Sequence, residues 1–236
     1  MASQDAKLIL YTNHRCPWAH RAHIALEELK LPFEEVIIDL DTPRTPEYLK
    51  INPRGLVPAL SYNGEIIIES GIVAAFLADA FPSHLVPASD APGGALRRAR
   101  IALFVDAYFS KFQGSLFKLS AAKTDAEAST VVDTAVANLV KEVEPLLADA
   151  KPYFGGSDKL TLAEVLSGSF VLRLLSSAKA GIYPPSLINQ IQEKAPNFYK
   201  WAQAVSVHPS VTSIYDEEDV IAHTKKRIEK LKAAAA

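Results

Sequence analysis

The segment KLILYTNHRCPWAHR, residues 7–21, decides the fold, because it reads as an apolar strand that leads directly into a helix. Apolar and β-branched side chains predict the strand at residues 7–12. Cys16 follows a short polar loop, and Pro17 stands at the first helical position, where a missing N–H costs nothing. Free backbone N–H groups and the positive end of the helix dipole would face the sulfur, and thiols in that setting ionise more readily than free ones. The segment therefore predicts a strand–helix turn that holds Cys16 as a thiolate.

Cys16 is the only cysteine in the 236 residues, which excludes a disulfide within the chain and a Cys-X-X-Cys redox pair. A redox-active Cys16 would need the sulfur of another molecule, and glutathione is the abundant cytosolic thiol. The alternative is a buried cysteine that acts as a small apolar side chain. The strand–Cys–Pro–helix context favours the reactive thiol.

The composition is that of a globular protein, with 49% hydrophobic and 22% charged residues. A net charge of −2 gives no reason to expect nucleic acid or an anionic membrane as a partner. No apolar run approaches the ~20 residues of a membrane span, and the first residues lack the apolar core of a secretion signal. We therefore expect a cytoplasmic protein.

Residues 1–82 alternate between strand and helix patterns in the order β-α-β-α-β-β-α. Asn63-Gly64 between two short apolar runs predicts a hairpin turn. A βαβ unit followed by a hairpin and a closing helix is typical of an α/β domain with one mixed sheet. The predicted strands cover residues 7–12, 33–40, 56–61 and 65–68, and the predicted helices cover residues 17–30, 45–51 and 70–81.

Residues 83–94 are rich in Pro, Gly, Ser and Asp, and they form the predicted linker. Beyond the linker the apolar periodicity is helical, so residues 95–236 predict an all-helical domain. Thr161 and Glu164 have the spacing of a capping box at one helix start. The predicted helices cover residues 95–119, 124–150, 161–178, 184–194, 197–205 and 217–232.

The order of these motifs resembles the glutathione transferases over essentially the whole chain. The resemblance is carried by the Cys16-Pro-Trp-Ala-His-Arg21 turn, the Gly55-Leu-Val-Pro58 run and the Glu69-Ser70 pair that opens a helix. A cysteine at the catalytic position is similar to the omega-type branch, and residues 16–21 are also similar to those of glutathionyl-hydroquinone reductases. The resemblance implies a thioredoxin-like domain at residues 1–82, a helical domain at 95–236 that binds the electrophile, glutathione as co-substrate, no metal, and a homodimer.

The resemblance also implies how glutathione is held. Pro17 and Trp18 would lie beside it, and a cis Val57-Pro58 bond would turn the Val57 backbone toward its cysteinyl part. At the γ-glutamyl end, the Glu69 carboxylate would pair with the α-ammonium. Ser70, as the cap of its helix, would bind the α-carboxylate.

The glycine carboxylate of glutathione needs a cation, and the family often supplies one before the Val-Pro turn. Arg44, Lys50 and Arg54 lie there, and Arg44 is the residue that we predict.

The wall of the electrophile site is predicted from the first long helix. Tyr108 and Phe112 are the candidate substrate residues, and Phe117 is a further one. Phe104 shares their helical spacing and is predicted to be core. Trp18 fits contact with the ligand and packing equally well, and Tyr11 is interpreted as structural.

The predicted activity is a glutathione-dependent thiol transfer or reduction, such as deglutathionylation or dehydroascorbate-type reduction, with Cys16 as the nucleophile. One alternative is a conjugating transferase that forms C–S bonds on xenobiotics or secondary metabolites. Others are a glutathionyl-hydroquinone reductase and a non-enzymatic ligand-binding module.

Overall fold

In the computed structural model, which describes residues 6–234, the chain forms a mixed sheet with three helices, followed by a helical segment. This confirms the predicted fold class. Residues 1–5 lie outside the described residues, and they include most of the N-terminal segment that we interpreted as lacking a secretion signal. Residues 235–236, at the end of the second predicted domain, also lie outside them.

The sheet has four strands in the order β2-β1-β3-β4. β1 pairs with β2 in parallel and with β3 in antiparallel orientation, and β3 pairs with β4 in antiparallel orientation. Asn63 and Gly64 both have positive φ, as the two-residue hairpin turn requires. The strands are β1 (Leu8–Thr12), β2 (Glu34–Ile37), β3 (Ala59–Tyr62) and β4 (Glu65–Ile68).

Helix α1 is buried on every side through its middle, residues 19–26, because it also packs against helices α3 and α7. The apolar side chains Ala22, Ala25 and Leu26 are buried, but so are three polar side chains on the same helix. Those three polar side chains are His20, Arg21 and His23. The helices of this part are α1 (Pro17–Leu29), α2 (Pro46–Ile51) and α3 (Ser70–Ala80).

The helical segment follows the predicted order, but its first two long helices are interrupted. The helix predicted at 95–119 contains a π-helical turn, Tyr108–Gln113, and the helix predicted at 124–150 contains another, Leu139–Val143. The helices are α4 (Gly94–Ala107), α5 (Gly114–Leu116), α6 (Asp125–Asn138), α7 (Leu162–Lys179), α8 (Pro185–Lys194), α9 (Pro196–Ser206), α10 (Pro209–Thr212) and α11 (Glu217–Ala234).

Gly114 permits the first π-helical turn. Its N–H points to the carbonyl of Phe109, five residues back, and a Cβ at Gly114 would lie 3.1 Å from that oxygen. A larger residue would be crowded there, so the glycine allows the widened turn. That turn changes which face of the helix the following residues occupy.

One apolar core spans the sheet and the helical segment. Leu85, in the predicted linker, is fully buried, and its carbonyl accepts a hydrogen bond from the Leu162 N–H at 2.8 Å. The linker is therefore packed, while the domain limits at residues 82 and 94 stay predictions. No helix within residues 6–234 is long and apolar enough to cross a membrane.

The predicted capping box is present at the start of α7. The buried Glu164 carboxylate accepts hydrogen bonds from the Thr161 N–H and hydroxyl, the Phe154 N–H and the Trp201 indole N–H, at 2.7–2.8 Å. This network fixes the N-terminal end of α7, which carries several residues of the site described next.

Candidate active site

Cys16 is the N-cap residue of α1, and its side chain makes no capping hydrogen bond. The loop before it is fixed by Asn13, whose side-chain oxygen accepts from the Arg15 N–H and whose backbone carbonyl accepts from the Cys16 N–H, both at 3.0 Å. The sulfur is partly exposed, and it lies 4.0 Å from the carbonyl oxygen of Val57. The turn thus presents Cys16 at a helix N-terminus, as predicted.

Arg173 on α7 holds this loop from the helical side. Its guanidinium donates to the carbonyls of His14 and Arg15, at 3.1 and 3.4 Å, and to His20 Nδ1 at 3.0 Å. Burial lowers the pKa of Arg173 to about 10, against the opposing effects of Tyr215 and Cys16. The side chain therefore stays positively charged at neutral pH beside Cys16.

His20 is neutral in this arrangement. Burial, followed by the charge of Arg173, lowers the pKa of His20 well below its ordinary value. Its Nδ1 can therefore accept the hydrogen bond that Arg173 donates. The pair ties α1 to α7 directly behind Cys16.

Arg21 is a second buried cation near the sulfur. It donates to the Leu166 carbonyl at 2.6 Å and to the Ser70 hydroxyl at 3.1 Å, and it lies over the ring of Trp18. Burial lowers the pKa of Arg21 to about 10, with Tyr108 and Cys16 acting in the opposite direction. Arg21 therefore adds positive charge on the α1 side of Cys16, and Arg173 adds it on the α7 side.

The Val57-Pro58 peptide bond is cis, which confirms the prediction. The loop before it is rigid, because the Tyr48 hydroxyl and the Asn52 side-chain amide both donate to the Leu56 carbonyl, at 2.5 and 2.7 Å. The Val57 backbone is therefore held at a defined position next to Cys16.

Ser70 was expected to cap α3, and that prediction was wrong. The N-cap residue is Glu69, with φ 70° and ψ 116°, and Ser70 is the first helical residue. The Ser70 hydroxyl is buried and accepts the Arg21 hydrogen bond. The Glu69 carboxylate lies at the surface and pairs with Arg54.

Arg44, the predicted partner of the glycine carboxylate, holds the loop that leads to Val57. Its Nε donates to the Gly55 carbonyl at 2.9 Å, and its Nη1 donates to the carbonyls of Asp39 and Thr42 at 2.6 and 2.7 Å. The structure therefore gives Arg44 a supporting contact that the sequence did not predict.

A cavity of about 1140 Å³ opens beside Cys16, and Pro17 and Trp18 also line it. Trp18 does both things that the sequence left open, because it faces the cavity and packs against Phe109 and Phe170, with ring centroids 5.5 and 4.6 Å away. The opposite wall comes from the helical segment, including Gln113, Leu116, Phe117, Phe170, Arg173 and Tyr183.

Tyr108 and Phe112 were predicted to form that wall, and the structure contradicts the prediction. Both are fully buried in the core with Phe104, which confirms the prediction for Phe104 alone. The Tyr108 hydroxyl donates to Gln113 Oε1 at 3.1 Å, and burial raises the pKa of Tyr108 well above its ordinary value. The π-helical turn directs Gln113 and Leu116 to the cavity instead.

Sequence reasoning missed Arg173 and Asn13. A signal existed for Arg173, because it is the only charged residue between Val165 and Ala178 in the apolar α7. An isolated cation in a buried helix needs a partner, and its partners are the loop carbonyls before Cys16. Asn13 gave no signal beyond its preference for turns.

Comparison with known proteins agrees with this geometry. The family pattern of the glutathione S-transferase N-terminal domain matches residues 15–80, which include Cys16, Val57-Pro58 and Glu69-Ser70. Glutathione transferase omega-1 of Caenorhabditis elegans is 26% identical over 87% of this chain and 79% of its own length. Residues 15–80 therefore match a glutathione S-transferase N-terminal domain, and the chain as a whole is similar to an omega-class glutathione transferase.

Among solved structures the chain is similar to omega-class glutathione transferases. The solved structure of glutathione transferase Omega 1C from Trametes versicolor superposes with a TM-score of 0.80, at 26% identity, and the match covers 95% of this chain and 98% of that one. A zeta-class relative, glutathione S-transferase Z2 of Arabidopsis thaliana, is 28% identical over 68% of this chain and 74% of its own length. The fold is therefore that of the glutathione transferases, while the substrate is a separate question.

Proposed function

We propose that the protein is a glutathione-dependent thiol transferase in which Cys16 is the nucleophile. The Cys16 thiolate attacks the glutathione sulfur of a glutathionylated substrate and releases the substrate as a thiolate. This forms a disulfide between Cys16 and glutathione. A second glutathione thiolate then attacks that glutathione sulfur, so that oxidised glutathione leaves and the Cys16 thiolate returns.

The observation that carries this proposal is the position of Cys16. Cys16 is partly exposed at the N-terminus of α1, on the edge of a large cavity, with the guanidinium groups of Arg21 and Arg173 nearby. A second cysteine does not exist in the chain, so the resolving thiol must come from another molecule. A monothiol route with glutathione meets that requirement.

The surroundings of Cys16 support glutathione as the co-substrate. The Val57 backbone lies beside the sulfur and would pair with the cysteinyl part of glutathione. Glu69 adopts a positive φ that costs about 1–3 kcal/mol, and such strain tends to persist at ligand sites. Its surface carboxylate would take the α-ammonium group, and the start of α3 at Ser70 would take the α-carboxylate.

Arg44 remains our proposed partner for the glycine carboxylate of glutathione. A guanidinium has five N–H donors, and the three hydrogen bonds of Arg44 to backbone carbonyls use Nε and Nη1. The Nη2 group can donate to the carboxylate while the loop stays fixed.

A pair of variants tests the proposal. Cys16→Ser should lower kcat/KM for a small glutathionylated peptide by at least about a thousandfold, because the nucleophile is lost. Tyr11→Phe, at the end of β1 where some relatives keep a catalytic tyrosine, should change it by less than about threefold. Equal turnover of the disulfide by native protein and Cys16→Ser would contradict the proposal.

The same experiment separates the alternatives. If Cys16→Ser loses disulfide turnover but keeps or gains conjugation of an electrophilic haloarene, the glutathione site is intact and Cys16 is specific to thiol transfer. If conjugation dominates in the native protein and disulfide turnover is negligible, the chain is a conjugating transferase. Failure of the native protein to bind immobilised glutathione would favour a non-enzymatic module.

We also propose that the protein is a homodimer. Large apolar side chains are exposed on both parts of the chain, with Ile72 on α3 and Leu96 and Leu103 on α4. Leu96 and Leu103 are seven residues apart and so share one face of the helix. A two-fold axis would pair this face of α4 with the sheet-side segment of the other copy. A solution mass near twice 25.7 kDa is expected.

A cytoplasmic location is part of the same proposal. The monothiol cycle consumes reduced glutathione, and the cytosol is the compartment that keeps thiols reduced.

A further inference from the structure

A cluster of metal-ligating side chains lies outside the site described above. His14 comes from the loop after β1, His23 from α1 and Glu35 from the edge strand β2. His14 Nε2 lies 2.7 Å and His23 Nε2 lies 3.3 Å from the same oxygen, Oε1 of Glu35. One ligand atom from each of the three residues lies within 4.8 Å of the others.

We propose that His14, His23 and Glu35 form a binding site for a divalent transition-metal ion of the Zn²⁺ type. Two imidazoles and one carboxylate are a donor set that such ions prefer, and a fourth position remains for water. Mg²⁺ and Ca²⁺ prefer oxygen ligands throughout, so they fit the cluster poorly.

The distances suit this ion after a small movement. Zn–N and Zn–O bonds of ~2.0–2.2 Å at tetrahedral angles place ligand atoms about 3.3 Å apart. The His23–Glu35 distance already has this value. His14 is the residue that must shift, and its side chain is 44% exposed, whereas that of His23 is 1% exposed. The Thr12 hydroxyl lies 2.9 Å from His23 Nε2, and the bond from this nitrogen to the metal would replace that hydrogen bond.

The cluster is separate from the proposed glutathione chemistry. None of the three residues lines the large cavity, and none is among the residues proposed to hold glutathione. The site would join the loop before Cys16 to the edge strand of the sheet.

The surroundings also set the expected strength of binding. Histidines that ligate a metal usually donate their other N–H to an acceptor, and a missing partner of this kind costs about 10–100-fold in affinity. His23 Nδ1 is buried and has no hydrogen-bond partner within the described residues. We therefore expect a dissociation constant in the micromolar range rather than the nanomolar range.

The test is a titration of the full-length protein with Co²⁺, followed by competition with Zn²⁺. It is run on the native protein and on Cys16→Ser, because the thiolate could bind metal by itself. One equivalent of Co²⁺ should bind in both, with the visible absorption of a four-coordinate nitrogen and oxygen site, and Zn²⁺ should displace it.

Three variants in the Cys16→Ser background locate the ion. His14→Ala and Glu35→Gln should each weaken binding by at least about tenfold, since each loses a ligand. Both residues lie at the surface, so circular dichroism should show an unchanged fold. Glu34→Gln is the matched control on the same strand, where Glu34 pairs with Lys7, and it should bind normally.

Three results would overturn the site. They are no Co²⁺ binding at millimolar metal, binding that disappears in Cys16→Ser, and binding that survives unchanged in either His14→Ala or Glu35→Gln.

Discussion

The two walls of the large cavity differ in how they are built. The nucleophile wall, formed by Cys16, Pro17 and Trp18 with the Val57 loop behind them, comes from short segments with local sequence signals. The helical wall, which includes Gln113, Leu116 and Tyr183, depends on the rotation of each helix about its axis. A short sequence motif determines which residues form the nucleophile wall. In the helical wall, by contrast, a single π-helical turn changes which residues face the cavity.

The two walls are also joined by unusual contacts. Arg21 on the nucleophile side reaches the Leu166 carbonyl of α7, and Arg173 on α7 reaches the loop before Cys16. Burying these charges without a carboxylate partner costs stability, as their lowered pKa values indicate.

The largest expected effect is a loss of stability when the hydrogen bonds that fix α7, part of the helical wall, are removed. Glu164→Ala should lower the free energy of unfolding by about 3 kcal/mol, because four buried donors lose their acceptor. Glu142→Ala, at a partly exposed position paired with Lys141, should cost less than about 1 kcal/mol in the same urea titration. Equal costs for the two variants would mean that the buried network does not support α7.

The second effect tests whether Glu69 belongs to the glutathione site on the side of the nucleophile wall. Glu69→Gln should raise the KM for glutathione by about tenfold or more, because a charge-assisted hydrogen bond to the α-ammonium is lost. Glu65→Gln, on the exposed strand β4 of the same hairpin, should leave KM unchanged. Steady-state kinetics with varied glutathione measures both. A similar KM for Glu69→Gln and the native protein would remove Glu69 from the glutathione site.

The third effect concerns the contact of His20 with Arg173, which joins the walls. The folded-state pKa of His20 is lowered, so the stability from the neutral ring is present above about pH 6.5 and is lost as the pH falls below it. Arg173, His23 and His14 are the charged or titratable groups that add to this effect. The loss has an upper limit of about 1.4 kcal/mol per pH unit.

Unfolding titrations of the native protein and of His20→Gln measure this loss. They are run between about pH 7.5 and about pH 5.5, which is about one pH unit on each side of the ordinary histidine pKa. The native protein should lose more stability than the variant, so the difference between them should narrow in acid. A constant difference would show that His20 binds no additional proton on unfolding.

The smallest effects separate the true helical wall from the predicted one. Tyr108→Phe should cost about 1 kcal/mol of stability, because it removes one buried hydrogen bond, and it should not change the KM for the second substrate. Leu119→Ala, at a side chain that lines the cavity, should raise that KM about fourfold for a bulky apolar substrate, the equivalent of one methylene group. The reverse pattern would restore Tyr108 to the substrate wall.

The sequence predicted the nucleophile wall better than it predicted the helical wall. The position of Cys16 at the start of α1 and the hairpin at Asn63-Gly64 depend on a few neighbouring residues, and both are confirmed. The cis Val57-Pro58 bond, which the family resemblance implied, is also confirmed. The Ser70 cap was wrong because Glu69 takes a positive φ, a conformation that propensity does not predict for glutamate.

The helical wall could not be derived in this way. Tyr108 and Phe112 have the spacing of one helix face, but that spacing does not tell which face meets the core. The phase also changes at Gly114, where a five-residue turn replaces a four-residue one. The isolated charge of Arg173 indicates that it needs a partner, but the sequence does not identify that partner as the His14 carbonyl, 159 residues away.

The most direct test of the central claim is the intact mass of the protein after incubation with oxidised glutathione. We expect one added glutathionyl group on the native protein, its removal by reduced glutathione, and no addition to Cys16→Ser. An unmodified native protein, or an addition that persists in Cys16→Ser, would contradict a mechanism in which Cys16 carries the glutathione.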